Sequence, residues 1–372
     1  MRRLSALLLA LLAGAGPSAA VQDAGSGEKR LLYVASPGIR NYLEWGGAGI
    51  LVYDIDRGHA LVRRIPVRYV DDQDTPGKAP ENVKGICASA KTKRLYVSTL
   101  TRLGCIDLVS ERLLWVKRYE GGCDRMSITP DGRKIYLPTL EKDDWHVVDG
   151  ETGGLLATIS PKSGAHNTVM GLDGTTVYLA GLKSPLLRVV DTKTDQILRE
   201  VPFSAPVRPF TVNGAQTLAY VTVNDLLGFE IGDLVAGKFL HRVEVPGFKK
   251  GPVKRHGCPS HGVGLTPDEK EVWVVDGFNK AVHIFDNSAM PPKYVQSIGT
   301  LIDDPGWVTF TIRGDVAYPS TGEVVDSKTK KVLAHLKDEE GHDVQSEKML
   351  EIDWAGGEPV RAGDQFGLGR VR

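Results

Sequence analysis

A chain of 372 residues with 46 basic and 46 acidic side chains, nine histidines and 41% apolar residues carries no net charge at neutral pH. It has no overall cationic field to attract nucleic acid or an anionic membrane surface, so neither is expected as a partner. Length alone suggests two domains, an expectation that an internal repeat replaces with one.

Met1-Arg2-Arg3, the apolar run from Leu4 to Leu12 and the small residues from Gly14 to Ala20 form the charged head, hydrophobic body and cleavage region of a secretory leader over 1–20. No later stretch approaches the roughly 20 apolar residues of a spanning helix. The mature protein is therefore expected in the periplasm or outside the cell, without a membrane span. Residues 21–29, made of Gly, Ser and charge, read as a linker, and 30–372 as a single β-propeller domain.

Arg30 to Ala35 and Gly49 to Asp56 read as the second and third strands of a blade whose first strand is missing. From Val83 onward one pattern recurs, clearest from Cys123 to Asp149. A short apolar strand (Met126 to Thr129) meets a Pro-Asp-Gly turn, a second strand (Lys134 to Leu137), a loop, and a third strand ending Val-Val-Asp. The same order returns from His166 and from Ser260. Aligned on the Tyr or Trp of the second strand, the copies place Lys84, Asp124, His166, Arg208, His261 and Gly306 at one shared position, 40, 42, 42, 53 and 45 residues apart. A period near 40 with four short strands per unit marks a propeller blade. Complete blades are expected over 83–119, 124–159, 166–203, 208–245, 261–298 and 306–336. Ser346 to Asp353 has the innermost-strand pattern and no partner of its own, so it supplies the strand missing from the N-terminal blade. The expected fold is all-β: a seven-bladed β-propeller, its blade one closed by a C-terminal strand plus N-terminal strands, with no open sheet edge.

Tyr220-Val221-Thr222-Val223, Leu95-Tyr96-Val97-Ser98 and Val177-Tyr178-Leu179-Ala180 stand in the second strands. The repeat resembles the YVTN family of seven-bladed propellers of the exported bacterial type, and the resemblance covers almost all of the mature chain. It implies the fold; function is another matter, because propellers host unrelated activities. Such propellers also resemble the heavy subunit of amine dehydrogenases and the haem-binding domain of nitrite reductases, but this chain has no Cys-x-x-Cys-His haem motif.

Four cysteines in an exported chain allow three disulfide pairings. Cys87 and Cys105 fall on the first and third strands of one blade, ~9.6 Å apart, beyond the roughly 7 Å that a disulfide spans. Cys123 and Cys258 lie across the ring from each other, and no bridge is expected.

The shared position lies where each innermost strand begins, so its side chains should ring one mouth of the central channel. That ring reads Lys84, Asp124, His166, Arg208, His261, Gly306 and, from the closing strand, Glu347, with Arg125 beside it. Ionisable groups collected at a low-dielectric funnel point to a binding site. Two stretches break the period, in loops 36–49 and 246–260, and both should open on that rim. The second carries Arg255-His256-Gly257-Cys258-Pro259-Ser260-His261, so His166, His256, Cys258 and His261 are candidate ligands of a divalent metal. Tyr42, Trp45 and Trp145 are candidate walls of a pocket or a protein-partner surface. His342 also falls near the rim, whereas His59, His146, His241, His283 and His335 read as surface or packing residues.

No nucleophile elbow, phosphate-binding glycine loop or His-Glu-x-x-His helix is present, so any active site must be assembled from several blades. The leading expectation is an exported propeller that binds a small polar or anionic molecule at the channel mouth. The alternative is a metal-assisted lyase, lactonase or other hydrolase using the histidines there.

Overall fold

A computed structural model describes residues 28–67, 80–252, 255–299 and 301–371. The expected leader and nearly all of the expected linker lie outside the described residues. Among the described residues, twenty-nine strands form seven antiparallel sheets, six of four strands and one of five. The only helical element among the described residues is the single 3-10 turn Ile55–Arg57, and no helix is long and apolar enough to cross a membrane.

Each sheet is a blade, and in the six four-stranded ones the first strand is innermost. Blade one is assembled from both ends of the chain. Met349–Ala355 pairs antiparallel with Lys29–Ser36, which pairs with Gly49–Asp54 and then Ala60–Ile65. Blades two to seven follow in sequence order, each beginning at the innermost strand that the period marks. Seven apolar clusters fill the seven spaces between neighbouring sheets. The cluster between blades seven and one joins Tyr318, Val324 and Leu336 to Leu32, Leu51 and Met349. The ring therefore closes through the same kind of core that joins its other blades.

Two repeated residues explain why the period is so regular. The second-strand aromatics Tyr33, Tyr96, Tyr136, Tyr178, Tyr220, Trp273 and Tyr318 are all buried. Their rings pack between sheets, and several hydroxyls reach the next blade: Tyr96 donates to the Gly150 carbonyl, Tyr136 to Asp195, and Tyr220 to Asn287. The aspartate ending each third strand folds the following turn by accepting backbone N–H groups. Asp149 accepts from Glu151 and Thr152, Asp191 from Lys193 and Thr194, and Asp326 from Lys328 and Thr329.

The C-terminus goes further than the sequence pattern suggests. After the closing strand the chain turns at Gly356 and Gly357, both left-handed at φ 61° and 84°. It then adds a fifth strand, Glu358–Ala362, on the channel side of blade one. The following tail crosses the channel along the far ends of the innermost strands. The Gly367 carbonyl accepts from Leu265 and Thr211, and Arg370 N donates to the Pro267 carbonyl. Gln365 bonds to Ile86 and Met126, while Phe366 and Leu368 pack into the core shared by blades four and five.

Glu351 on the closing strand is 1% exposed. Burial, with the hydrogen bond it shares with Asp353, pushes its carboxyl from 4.5 up to about 8. A carboxyl raised in the folded state adds stability that is complete below pH 4.5 and is lost as pH rises through about 8. Lys348, pushed down to about 7 by burial, acts in the opposite sense, and only above that pH. Between pH 5 and 7 Glu351 therefore contributes a fall in stability of at most about 1.4 kcal/mol per pH unit, set against the rise contributed by His59, His166 and His261, whose rings burial holds below their ordinary value. Melts of wild type and Glu351→Gln across that window isolate this contribution: stability of the variant should rise more with pH than that of wild type, and identical slopes would remove Glu351 as a contributor.

Candidate functional site

The mouth is built by local backbone devices. In blades two, four and five the pairing of first and second strands slips at the shared position, between Val83 and Gly85, Ala165 and Asn167, and Val207 and Phe210. Lys84, His166 and Arg208 therefore sit in bulges, a distortion that re-aims a side chain. In blades three, six, seven and one the shared residue lies just before the regular strand, at Asp124, His261, Gly306 and Glu347.

These groups are connected around the mouth. The Asp124 carboxylate, fully buried, accepts from His166 Nδ1 at 2.6 Å and lies 3.5 Å from Lys84 Nζ. Burial alone would raise the Asp124 carboxyl; the His166 ring, Lys84 and Arg125 outweigh it and hold the group below its ordinary value. Burial lowers His166. At neutral pH the pair is therefore a carboxylate and a neutral imidazole whose Nδ1–H is committed, leaving Nε2 as an unprotonated base.

Across the channel, Arg125 reaches from blade three to blades seven and one. Its guanidinium stacks 3.8 Å from the centre of the Trp307 ring and pairs with Glu347 Oε2. Lys348 Nζ donates to the same oxygen at 2.8 Å and to the Gly38 carbonyl at 2.7 Å, which fixes the first inserted loop. Burial would raise the Glu347 carboxyl, but Lys348 and Arg125 hold it well below the carboxylate range. Arg125 Nε and Nη1, both amide atoms of Asn167, His256 Nε2 and Glu347 Oε1 are buried without a hydrogen-bond partner. Unsatisfied polar atoms gathered in one place are uncommon in a folded interior.

The two inserted loops meet over blades six, seven and one. Arg40 donates to the Arg255 carbonyl at 2.9 Å, and the Arg255 guanidinium lies 5.6 Å from the Tyr42 ring centre. Residues 253–254 of the second loop lie outside the described residues. The loop places the His256 ring over blade seven, where a Cβ on Gly306 would come within 2.3 Å of His256 and 2.4 Å of Glu347. Gly306 is thus the ring member without a side chain because a histidine from the loop fills that space. The remaining exposure at the mouth lies with Lys84, His256 and Arg208, the last held by Asn224 Oδ1 and the Gly257 carbonyl.

Of the four groups expected around a metal, His256 and His261 share a neighbourhood with Glu347. His166 is committed to Asp124, its ring centre 6.4 Å from that of His261. Burial pushes the Cys258 thiol up to about 12, and Cys258 Sγ donates to the Ser260 carbonyl. That leaves it a thiol where a ligand must be a thiolate. His342 is exposed, in a separate group with Asp338 and Glu340.

Trp145 corrects the expected pocket wall. It lies on the strand Trp145–Asp149, fully buried, and donates to Thr168 in the next blade. Tyr42 and Trp45 stay on the rim, half-buried. Sequence reasoning missed Lys348, which reads as an ordinary strand residue. The only signal for it was its place beside Glu347 in a strand that begins at the mouth. All four cysteines are buried and free.

No protein-family model matches the chain, and no curated protein matches it. Among solved structures the chain is similar to one described as dihydro-heme d1 dehydrogenase NirN in complex with DHE. That likeness, at 12% identity, covers 91% of this chain and 75% of the other with a TM-score of 0.57. Hydrazine synthase from Kuenenia stuttgartiensis is 14% identical over 70% of this chain and 97% of the other, with a TM-score of 0.45. At 12% identity the likeness to NirN is one of fold.

Proposed function

We propose that this chain is an exported propeller of the YVTN type that binds a small polar or anionic molecule at the channel mouth, with rim loops 36–49 and 246–260 available to a protein partner. The apolar leader pattern supports export, and the second-strand tetrapeptides support the family. One observation carries the binding function: three cationic side chains, Lys84, Arg125 and Lys348, converge on two carboxylates, Asp124 and Glu347, among buried polar atoms without partners, and Arg208 adds a fourth cation at the same mouth. The surplus is positive and the unmet donors are fixed. An anion carrying hydroxyl or amino groups suits such a mouth, whereas an apolar guest would leave each polar group unpaired at ~1–3 kcal/mol.

Arg208 is the cation to test, because it is partly exposed and lies outside the buried Arg125–Glu347 pair. Calorimetric titration with small hydroxy acids, sugar acids and amino acids should find a ligand. Arg208→Ala should weaken that ligand about tenfold or more, as loss of a charge-assisted hydrogen bond worth ~1.5–3 kcal/mol requires. Equal affinity in the variant would exclude Arg208 from the site. A second reading, acid/base catalysis at the same mouth, is favoured by the Asp124–His166 pair, which presents an oriented neutral imidazole.

A further inference from the structure

We infer that His256, His261 and Glu347 form a binding site for one zinc-like divalent transition ion, built where the second inserted loop folds over blade seven. Ligand atoms of the three residues all lie within 4.8 Å of one another. Bonds of about 2.0 Å at tetrahedral angles place ligand atoms roughly 3.3 Å apart, and His256 Nδ1 lies 3.1 Å from Glu347 Oε1. That contact is at ion-pair distance but is not aligned as a hydrogen bond, and Oε1 has no other partner.

The surroundings of His261 and Glu347 match what a metal needs from its second shell. Metal-bound imidazoles donate their other ring N–H to a carbonyl or carboxylate, which fixes the tautomer. His261 Nδ1 is engaged with the Gly306 carbonyl at 2.8 Å, leaving Nε2 to ligate. Glu347 is oriented through its other oxygen, Oε2, by Arg125 and Lys348. Those two cations oppose a dication by charge, but they do not occupy the oxygen that would bind it.

Access also exists. A cavity of about 110 Å³ reaches both imidazoles from between blades six and seven, walled by Pro252, Pro259, Phe278 and Pro305. Three protein ligands and an approach from solvent make an open site, in which a fourth position can take water or an oxygen of a bound anion. The inference does not depend on an organic ligand binding at the mouth.

The full chain, stripped with a chelator, would be titrated with zinc(II) alone by calorimetry, with bound metal counted by elemental analysis. One equivalent is expected. His256→Ala should weaken it about a hundredfold, and Glu347→Gln at least tenfold, since even outer-shell losses reach about 10–100-fold. His342→Ala, in the exposed Asp338, Glu340 and His342 group, should change nothing. Should Glu347→Gln fold poorly, His256→Ala still decides, because its ring sits on a loop outside the strands. Absence of zinc in folded wild type, unchanged affinity in His256→Ala, or a loss confined to His342→Ala would each overturn the assignment. Zinc is offered without any acid, so failure here leaves the Arg208 titration to judge the anion site separately.

Discussion

Truncation before Ser346 is expected to unfold all seven blades in one transition at ordinary temperature. The deletion removes Met349, Leu350 and Ile352, each at most 1% exposed, from two inter-blade cores, and strips Lys29–Ser36 of its inner partner. Losses of ~2–5 kcal/mol per large buried side chain sum to a large share of a typical total of ~5–15 kcal/mol, before the unpaired backbone is counted. A second truncation, after Gly357, separates closure from plugging. It keeps the closing strand but removes Glu358–Ala362 and the tail with Phe366 and Leu368, each worth ~1.5–3 kcal/mol of burial. That protein should fold and melt at a lower temperature. Circular dichroism melts of both chains check the order; a chain ending at Gln345 that melts like the full protein would contradict closure by the C-terminus.

Arg125→Met should be the most damaging single substitution at the mouth. The guanidinium is 3% exposed and ties blade three to Trp307 of blade seven and Glu347 of blade one. Its loss leaves the Glu347 carboxylate buried with Lys348 and the His256 imidazole as its remaining basic partners. Breaking a buried ion pair by removing one partner costs about 3–5 kcal/mol, about 4–7 °C for a chain of this size. Arg125→Met combined with Glu347→Gln should recover part of that loss, because the unmet charge is gone, and a double-mutant cycle measures the coupling. Additive effects would mean that Arg125 acts through Trp307 alone.

Much of this architecture is legible in the sequence because it repeats. The buried second-strand aromatics and the turn-forming aspartates recur wherever a blade recurs, and one alignment on them places Lys84, Asp124, His166, Arg208, His261 and Glu347 at the same mouth. What repeats poorly is illegible. The tail from Glu358 onward has no copy elsewhere, and its partners Ile86, Met126 and Thr211 lie more than 150 residues away in the chain. Bulges at Lys84, His166 and Arg208 arise from register slips that no residue type announces. Gly306 reads as a gap in the ring, and only the path of the loop bearing His256 shows what fills it. Trp145 was misplaced for a local reason: it follows the polar run Glu141 to Asp144, but the strand begins at the tryptophan itself.

Crystals grown with the tightest-binding small acid test the central claim most directly. The ligand should appear at the channel mouth within hydrogen-bond reach of Arg208 and Lys84, with its oxygens meeting the unpaired donors around Arg125 and Asn167. A ligand found instead on the opposite face, in the groove lined by Lys91, Arg133 and Lys193, or no bound acid at saturating concentration, would contradict it and reduce the ring of charges to ties between blades.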